Sequence, residues 1–133
     1  MEIQYLDKPL DSDDNMFDLY EKLDWNKYLK LTKEDLNIAM EQSWQVVYAY
    51  HNKTLIGTGR VISDGIINAY LCGVGVIPEF QNKGIGRQIC KLLIESCTKK
   101  GLHIQLLCED HLIPYYRRFG FTEFAIGMKK TGD

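Results

Sequence analysis

Val76-Ile77-Pro78-Glu79-Phe80-Gln81-Asn82-Lys83-Gly84-Ile85-Gly86-Arg87 stands between an apolar run, residues 69–76, and a long amphipathic segment, residues 87–100. That order reads as strand, turn, helix. Pro78 has no N–H to offer a ladder, so the strand ends before it. Gly84 and Gly86 flank Ile85 where the helix should begin, and glycine lets a ligand approach the backbone closely. The first N–H groups of a helix have no partner inside it, and the positive end of the helix dipole lies there. A glycine-rich turn at that place suits a phosphate or pyrophosphate, with Lys83 and Arg87 adding positive charge on either side.

Two widespread phosphate-binding patterns do not fit. The dinucleotide fingerprint Gly-x-Gly-x-x-Gly finds Gly84 and Gly86 but meets Ile89 at its third glycine. The Walker A loop requires Gly-Lys-Ser/Thr after four spacer residues, and the chain has no such run. What is present is Gln-x-x-Gly-x-Gly at Gln81, Gly84 and Gly86, preceded by Val-x-Pro at Val76 and Pro78. This arrangement resembles the acetyl-CoA signature of the GCN5-related N-acetyltransferases, the GNAT superfamily. Without the resemblance, the same residues describe a strand-to-helix turn with glycines for tight packing.

A chain of 133 residues is sized for a single domain, residues 1–133, with one core. Hydrophobic residues at 45% and charged residues at 26% are ordinary for a soluble globular protein. A net charge of −2 argues against a general nucleic-acid surface or a polybasic membrane surface. Residues 1–5 show no basic or apolar leader pattern, and no apolar stretch approaches the length of a membrane span. Cys72, Cys90, Cys97 and Cys108 form no Cys-x-x-Cys pair and no metal-ligand spacing with His51, His103 or His111. They read as reduced, mostly buried thiols of a cytoplasmic protein that needs no metal.

In chain order, residues 1–6 read as a first strand. Residues 11–14 offer several helix caps, and Met16, Phe17, Leu19, Tyr20 and Leu23 recur at helical spacing, predicting a helix over 14–23. Residues 25–29 read as an irregular connection. Thr32 to Asp35 is a capping-box pattern opening a helix to about residue 42 that buries Leu36, Ala39 and Met40. Strands follow over 44–51, 54–63 and 66–76, joined at Asn52-Lys53 and Asp64-Gly65, with Gly57 and Gly59 marking a bulge or a close backbone approach. The next helix should bury Ile85, Ile89, Leu92, Leu93 and Cys97 and stop at Gly101. Residues 103–108 form a strand reached by a crossover, hence parallel or nearly so to its neighbour. A short helix around Pro114 ends at Gly120, and residues 121–129 form the last strand. The class is α+β. The element order also resembles the GNAT-like acyl-CoA N-acyltransferase fold, which implies a mixed, mostly antiparallel sheet flanked by helices and splayed at the coenzyme cleft.

A second motif supports the resemblance. Tyr115-Tyr116-Arg117-Arg118-Phe119-Gly120-Phe121 is similar to the family's Phe-Tyr-x-x-x-Gly-Phe, with Tyr at 115 where Phe or Leu is usual. From composition alone Tyr116 reads as a core aromatic with a satisfied hydroxyl. The resemblance aligns it with a tyrosine close to the coenzyme sulfur, where a phenol can donate a proton to the departing thiolate. Glu109 stands where the family often has Asn. Glu109, Asp110 and His111 follow the strand directly, and Glu79 and a carboxylate near Asp64 are further candidates to take the substrate proton. The bland reading of the loop acids is a solvated cluster with Asp110 as a cap.

The resemblance implies an acetyl-CoA-dependent N-acetyltransferase, a transferase of the EC 2.3.1 class, acting on a primary amine by direct attack. The backbone at Lys83, Gly84, Ile85, Gly86 and Arg87 would hold the pyrophosphate, next to Gln81. Val74 and Val76 would pair with the pantetheine arm, and an N–H there would polarise the thioester carbonyl. A small-molecule amine is the expected acceptor, with Trp25, Tyr28 and Trp44 as candidate aromatic walls. The alternatives are a protein lysine or N-terminus, or a module that binds acetyl-CoA without turnover. The resemblance also allows a homodimer.

Overall fold

Strand-forming residues and two turn signals lay out the sheet. The computed structural model describes residues 1–10 and 15–132. Its elements are β1 (Gln4–Leu6), α1 (Asn15–Lys22), α2 (Asn26–Leu29), α3 (Lys33–Gln42), β2 (Gln45–His51), β3 (Thr54–Ser63), β4 (Asn68–Val76), α4 (Ile85–Lys100), β5 (His103–Gln105) and α5 (Ile113–Arg117). One-turn 3-10 helices lie at Pro78–Phe80 and Asp110–Leu112. These residues form a five-stranded sheet in the order β1-β2-β3-β4-β5, antiparallel except for the parallel pair β4–β5. The crossover β4–α4–β5 is therefore parallel, as its connection requires.

Asn52 and Lys53 both take left-handed conformations, φ 48° and 66°, which is the two-residue turn that matches strand twist. At the other hairpin, the Asp64 carboxylate accepts the N–H groups of Ile66 and Ile67, each at 2.8 Å. The Ile67 and Ile66 donors hold its pKa below the ordinary aspartate value. Thr32 and Asp35 form the expected capping box: Thr32 Oγ1 accepts from Asp35 N at 3.1 Å, and Asp35 Oδ2 accepts from Thr32 N at 3.2 Å.

The two faces of the sheet are covered by different helices. Gly57 and Gly59 face α4; a Cβ on Gly59 would stand 2.7 Å from Ile89 Cγ2 and 3.1 Å from Leu93 Cδ1. These glycines mark close approach of helix to strand, and the bulge reading holds as well: Ile56 is the extra residue beside Gly57, and Gly59 lies opposite a bulge in β4. α4 buries Ile85, Ile89, Cys90, Leu93 and Cys97. Each buried aliphatic side chain contributes roughly 1.5–3 kcal/mol before ordering costs. The opposite face carries α1, which buries Met16, Leu19 and Tyr20, with α3 and its buried Leu36 and Met40 packed on it.

Several expectations change. The connection at 25–29 contains α2, a single helical turn whose Asn26 side chain is tied to the Leu31 backbone in both directions. The cap residues 11–14 lie outside the described residues. β5 stops at Gln105 rather than 108, and Cys108 is exposed. Residues 121–129 do not form a strand. Their alternation is real, but β5 is too short to offer them an edge, so Phe124, Ile126 and Met128 stay exposed at 69%, 89% and 92%. Gly127 passes close to the Leu107 side chain instead, whose Cδ2 lies 3.0 Å from where a Cβ on Gly127 would be.

Candidate active site

β4 ends at Val76 because Pro78 follows, and the chain then turns through Pro78–Phe80 into α4. Gln81 Nε2 donates to the Val76 carbonyl at 2.9 Å, closing the turn against the strand. Its side-chain amide therefore braces the loop. Asn82 and Gly84 take left-handed conformations, φ 61° and 81°. The first bond of α4 runs from Gln88 N to Gly84 O at 3.1 Å. The N–H groups of Ile85, Gly86 and Arg87 thus precede the helical ladder, at the positive end of a sixteen-residue helix. Ile85 is buried and pins the turn to the core, while Lys83 and Arg87 are exposed. A Cβ on Gly86 would have ordinary contacts, 3.7 Å to Tyr115 Oη and 3.8 Å to Val76 Cγ2, and one on Gly84 would meet nothing within 4 Å. The turn presents bare backbone, which suits a pyrophosphate.

Upstream, β4 carries a bulge. Thr58 pairs with Gly75 and Arg60 with Cys72, so Gly73 and Val74 together oppose Gly59. Gly73 has φ +60°, which favours glycine. The β4–β5 ladder ends at Tyr70 opposite Gln105, so the bulge and Val76 lie beyond it with no strand on that side among the described residues. Val74 and Val76 face α4, whereas Gly73 and Gly75 face α1. Trp25 is laid on Gly75: a Cβ there would stand 2.5 Å from Trp25 Cζ2. Tyr20 meets Trp25 edge to face, with centroids 5.0 Å apart. Tyr20 Oη and Arg60 Nε are each 3.6 Å from the Cβ position of Gly73. Burial pushes the Tyr20 pKa up, and the hydrogen bond and charge of Arg60 offset part of that.

α5 supplies two tyrosines. The Tyr115 hydroxyl lies beside Gly86 and near the Cys90 thiol. Burial, then Cys90, pushes Tyr115 up to about 12, and burial pushes Cys90 up to about 11. Tyr116 packs edge-on against Tyr115 (5.1 Å) and Phe121 (6.1 Å). Its pKa is also raised, first by burial and then by the neighbouring thiols of Cys90 and Cys108, so its proton stays on. Tyr115 therefore faces the glycine turn, and Tyr116 stands toward the chain that leaves β5.

The acids are dispersed. Glu109 and His111 contact each other at 3.5 Å on the exposed link between β5 and α5. Asp110 caps nothing with its side chain. Glu79 is exposed in the turn after β4. Asp64 is engaged through Oδ1 by its own turn, at the end of the sheet away from the glycine turn. Of the candidate aromatic walls, only Trp25 reaches the bulge; Tyr28 is exposed beside Lys27, and Trp44 packs against Gly65. Among the described residues no cluster of three or more His, Cys, Asp or Glu could hold a metal, and no helix is long and apolar enough to cross a membrane. Two concavities lie elsewhere: about 330 Å³ between β1 and α4, and about 420 Å³ between α1, α3 and β2.

Sequence reasoning missed Arg60, Tyr20 and the bulge. The signals were present: Gly73 and Gly75 inside a strand mark a bulge or close approach, and Arg60 is the charged residue of an otherwise uncharged strand.

The profile described as "Acetyltransferase (GNAT) family" matches residues 8–121. GCN5-related N-acetyltransferase 1, chloroplastic, of Arabidopsis thaliana is 30% identical over 97 residues, covering 71% of this chain and 49% of that protein. The chain thus spans about half the length of that relative. An N-acetyltransferase of Pyropia yezoensis is 26% identical over 120 residues, covering 86% of this chain and 69% of its own length. Among solved structures, a GNAT-family acetyltransferase from Streptococcus pneumoniae superposes with a TM-score of 0.78 at 23% identity, covering 98% of each chain. With the matched profile spanning the glycine turn, the bulge and both tyrosines of α5, this chain belongs to the GNAT family of acetyltransferases.

Proposed function

We propose that this chain moves an acetyl group from acetyl-CoA to the primary amine of a small molecule by direct attack. The observation that carries the reading is the succession along one strand: a bulge at Gly73 and Val74, then an unpaired strand edge, then the bare N-terminus of α4.

Acetyl-CoA supplies an activated acetyl group as a thioester. The N–H groups from Lys83 to Arg87 bind its pyrophosphate. The backbone of Val74 and Val76 pairs with the pantetheine arm, and an N–H at the bulge donates to the thioester carbonyl, where negative charge develops. The amine nitrogen adds to the thioester carbon to form the new C–N bond and a tetrahedral intermediate, whose collapse breaks the C–S bond and expels the thiolate. The Tyr116 hydroxyl, kept protonated by burial, gives its proton to the leaving thiolate. The ammonium proton leaves to water or to an exposed group at the rim, with Glu109, His111 and Glu79 as candidates.

The test is release of free thiol from acetyl-CoA across a panel of amines, amino acids and short lysine or N-terminal peptides, with calorimetric titration of acetyl-CoA alongside. Turnover on a small amine supports the reading. Turnover on peptides alone replaces it with protein acetylation, and binding without turnover replaces it with a coenzyme-binding module.

A further inference from the structure

Arg60 is the charged residue of β3, and it faces α1 rather than solvent or α4. Its side chain lies across Gly73, with Cγ at 3.7 Å and Nε at 3.6 Å from where a Cβ would stand. A side chain at 73 would displace it, so the glycine that makes the bulge also admits the guanidinium. Nη1 donates to Ser43 Oγ at 3.3 Å, and the Tyr20 hydroxyl lies beside the same glycine. Nε is buried and has no acceptor.

The side chains recorded against this cation among the described residues are neutral. Tyr20 comes from α1 and stays protonated because burial raises its pKa. Ser43 follows α3. Cys72 comes from β4, and burial raises its thiol pKa as well. Among the described residues no carboxylate pairs with Arg60. Arg60 is partly buried, and a charge there is stabilised by a counter-charge more than by neutral hydroxyls. The fork geometry of arginine matches a carboxylate or phosphate.

Building on the acetyl-transfer reading above, we infer that the acceptor carries an anionic group, a carboxylate or a phosphate, which Arg60 holds from the α1 face while the amine lies at the bulge. The acceptors are then amino acids or phosphorylated amines. Polyamines and simple arylalkylamines lack the anion and bring positive charge toward an uncompensated guanidinium. Trp25, packed on Gly75 and Tyr20, forms an apolar wall beside the anion site.

The experiment uses acceptor pairs that differ only in the anion: amino acids against their decarboxylated amines, and an amino alcohol against its phosphate ester. Thiol release is measured for the wild type, Arg60→Gln and Arg60→Lys. The anionic member should be favoured roughly tenfold or more in kcat/KM. Arg60→Gln should erase that preference through KM with acetyl-CoA affinity unchanged, and Arg60→Lys should restore part of it. Preference for the neutral member in the wild type overturns the proposal, and so does a preference that survives in Arg60→Gln. The wild-type comparison needs no variant, so a misfolded Arg60→Gln does not shield it. If no amine is acetylated, tryptophan fluorescence is titrated with the same acids on the coenzyme-A complex. Saturable binding lost in Arg60→Gln keeps the anion site while the transferase reading falls; no binding overturns the anion site.

Discussion

Ile89 occupies the space a side chain on Gly59 would need: its Cγ2 lies 2.7 Å from the position of that missing Cβ. Leu93 and Val74 crowd the same point from either side, each at 3.1 Å. The helix whose N-terminus is the proposed coenzyme site is thus seated on a strand glycine. Gly59→Ala should lower stability by about 1–3 kcal/mol through overpacking. Ile89 is one turn from Gly86, so the displaced helix should also bind acetyl-CoA less tightly. Urea unfolding and calorimetric titration read the two effects, and unchanged values in both would show that α4 shifts freely.

Gly86 gives the opposite case. A Cβ there has only ordinary contacts, so the fold tolerates it. Gly86→Val should leave stability within about 1 kcal/mol, the β-branched propensity penalty on a helix. It should nevertheless weaken acetyl-CoA binding by roughly tenfold or more if the side chain crowds the proposed pyrophosphate site. Wild-type affinity in a folded variant would remove the glycine turn from the coenzyme site.

The contrast between these glycines shows what the sequence carried. Gly84 and Gly86 were legible because their role is local, set by a proline before them and an amphipathic run after them. The meander, the capping box at Thr32 and the crossover were legible for the same reason. Arg60 was not, because its meaning depends on Tyr20, Ser43 and Gly73 meeting around it from three distant segments. The strand expected over 121–129 failed on a related point. Alternation states which residues would share a face, but a strand needs an edge to pair with, and β5 ends at Gln105. Likewise the motif singled out Tyr116, while only packing reveals that Tyr115 turns its hydroxyl to Gly86 and Cys90.

The two tyrosines should separate by kinetics. Tyr116→Phe removes the proposed proton donor and leaves the ring packing against Phe121 intact. Its kcat should fall by about 10²-fold, as loss of a general acid does, with acetyl-CoA affinity retained. Tyr115→Phe removes a hydroxyl beside the glycine turn, so its main effect should be on coenzyme affinity. A pH–rate profile for both variants decides the assignment. If Tyr115→Phe loses turnover while Tyr116→Phe keeps it, the donor is Tyr115.

Cys90 links the site to stability at alkaline pH. Its thiol, buried under Tyr115, titrates at about 11 in the fold against an ordinary value of 9. The folded state therefore holds this proton more tightly than the unfolded chain. The stability that goes with it is fully present below about pH 9 and drains away as pH rises toward 11. Tyr115, raised to about 12, acts in the same direction at higher pH, and Cys90 is among the causes of its shift. Cys90→Ala removes the first contribution and shrinks the second. The variant should lose about 1–2 kcal/mol at neutral pH from the missing buried sulfur. Between pH 9 and 11, however, its stability should decline less steeply than that of the wild type. Urea midpoints from pH 7 to 11, taken under reducing conditions, measure both slopes. Parallel curves would mean that the thiol ionises in the fold as it does in the unfolded chain, and that Tyr115 finds its partner elsewhere.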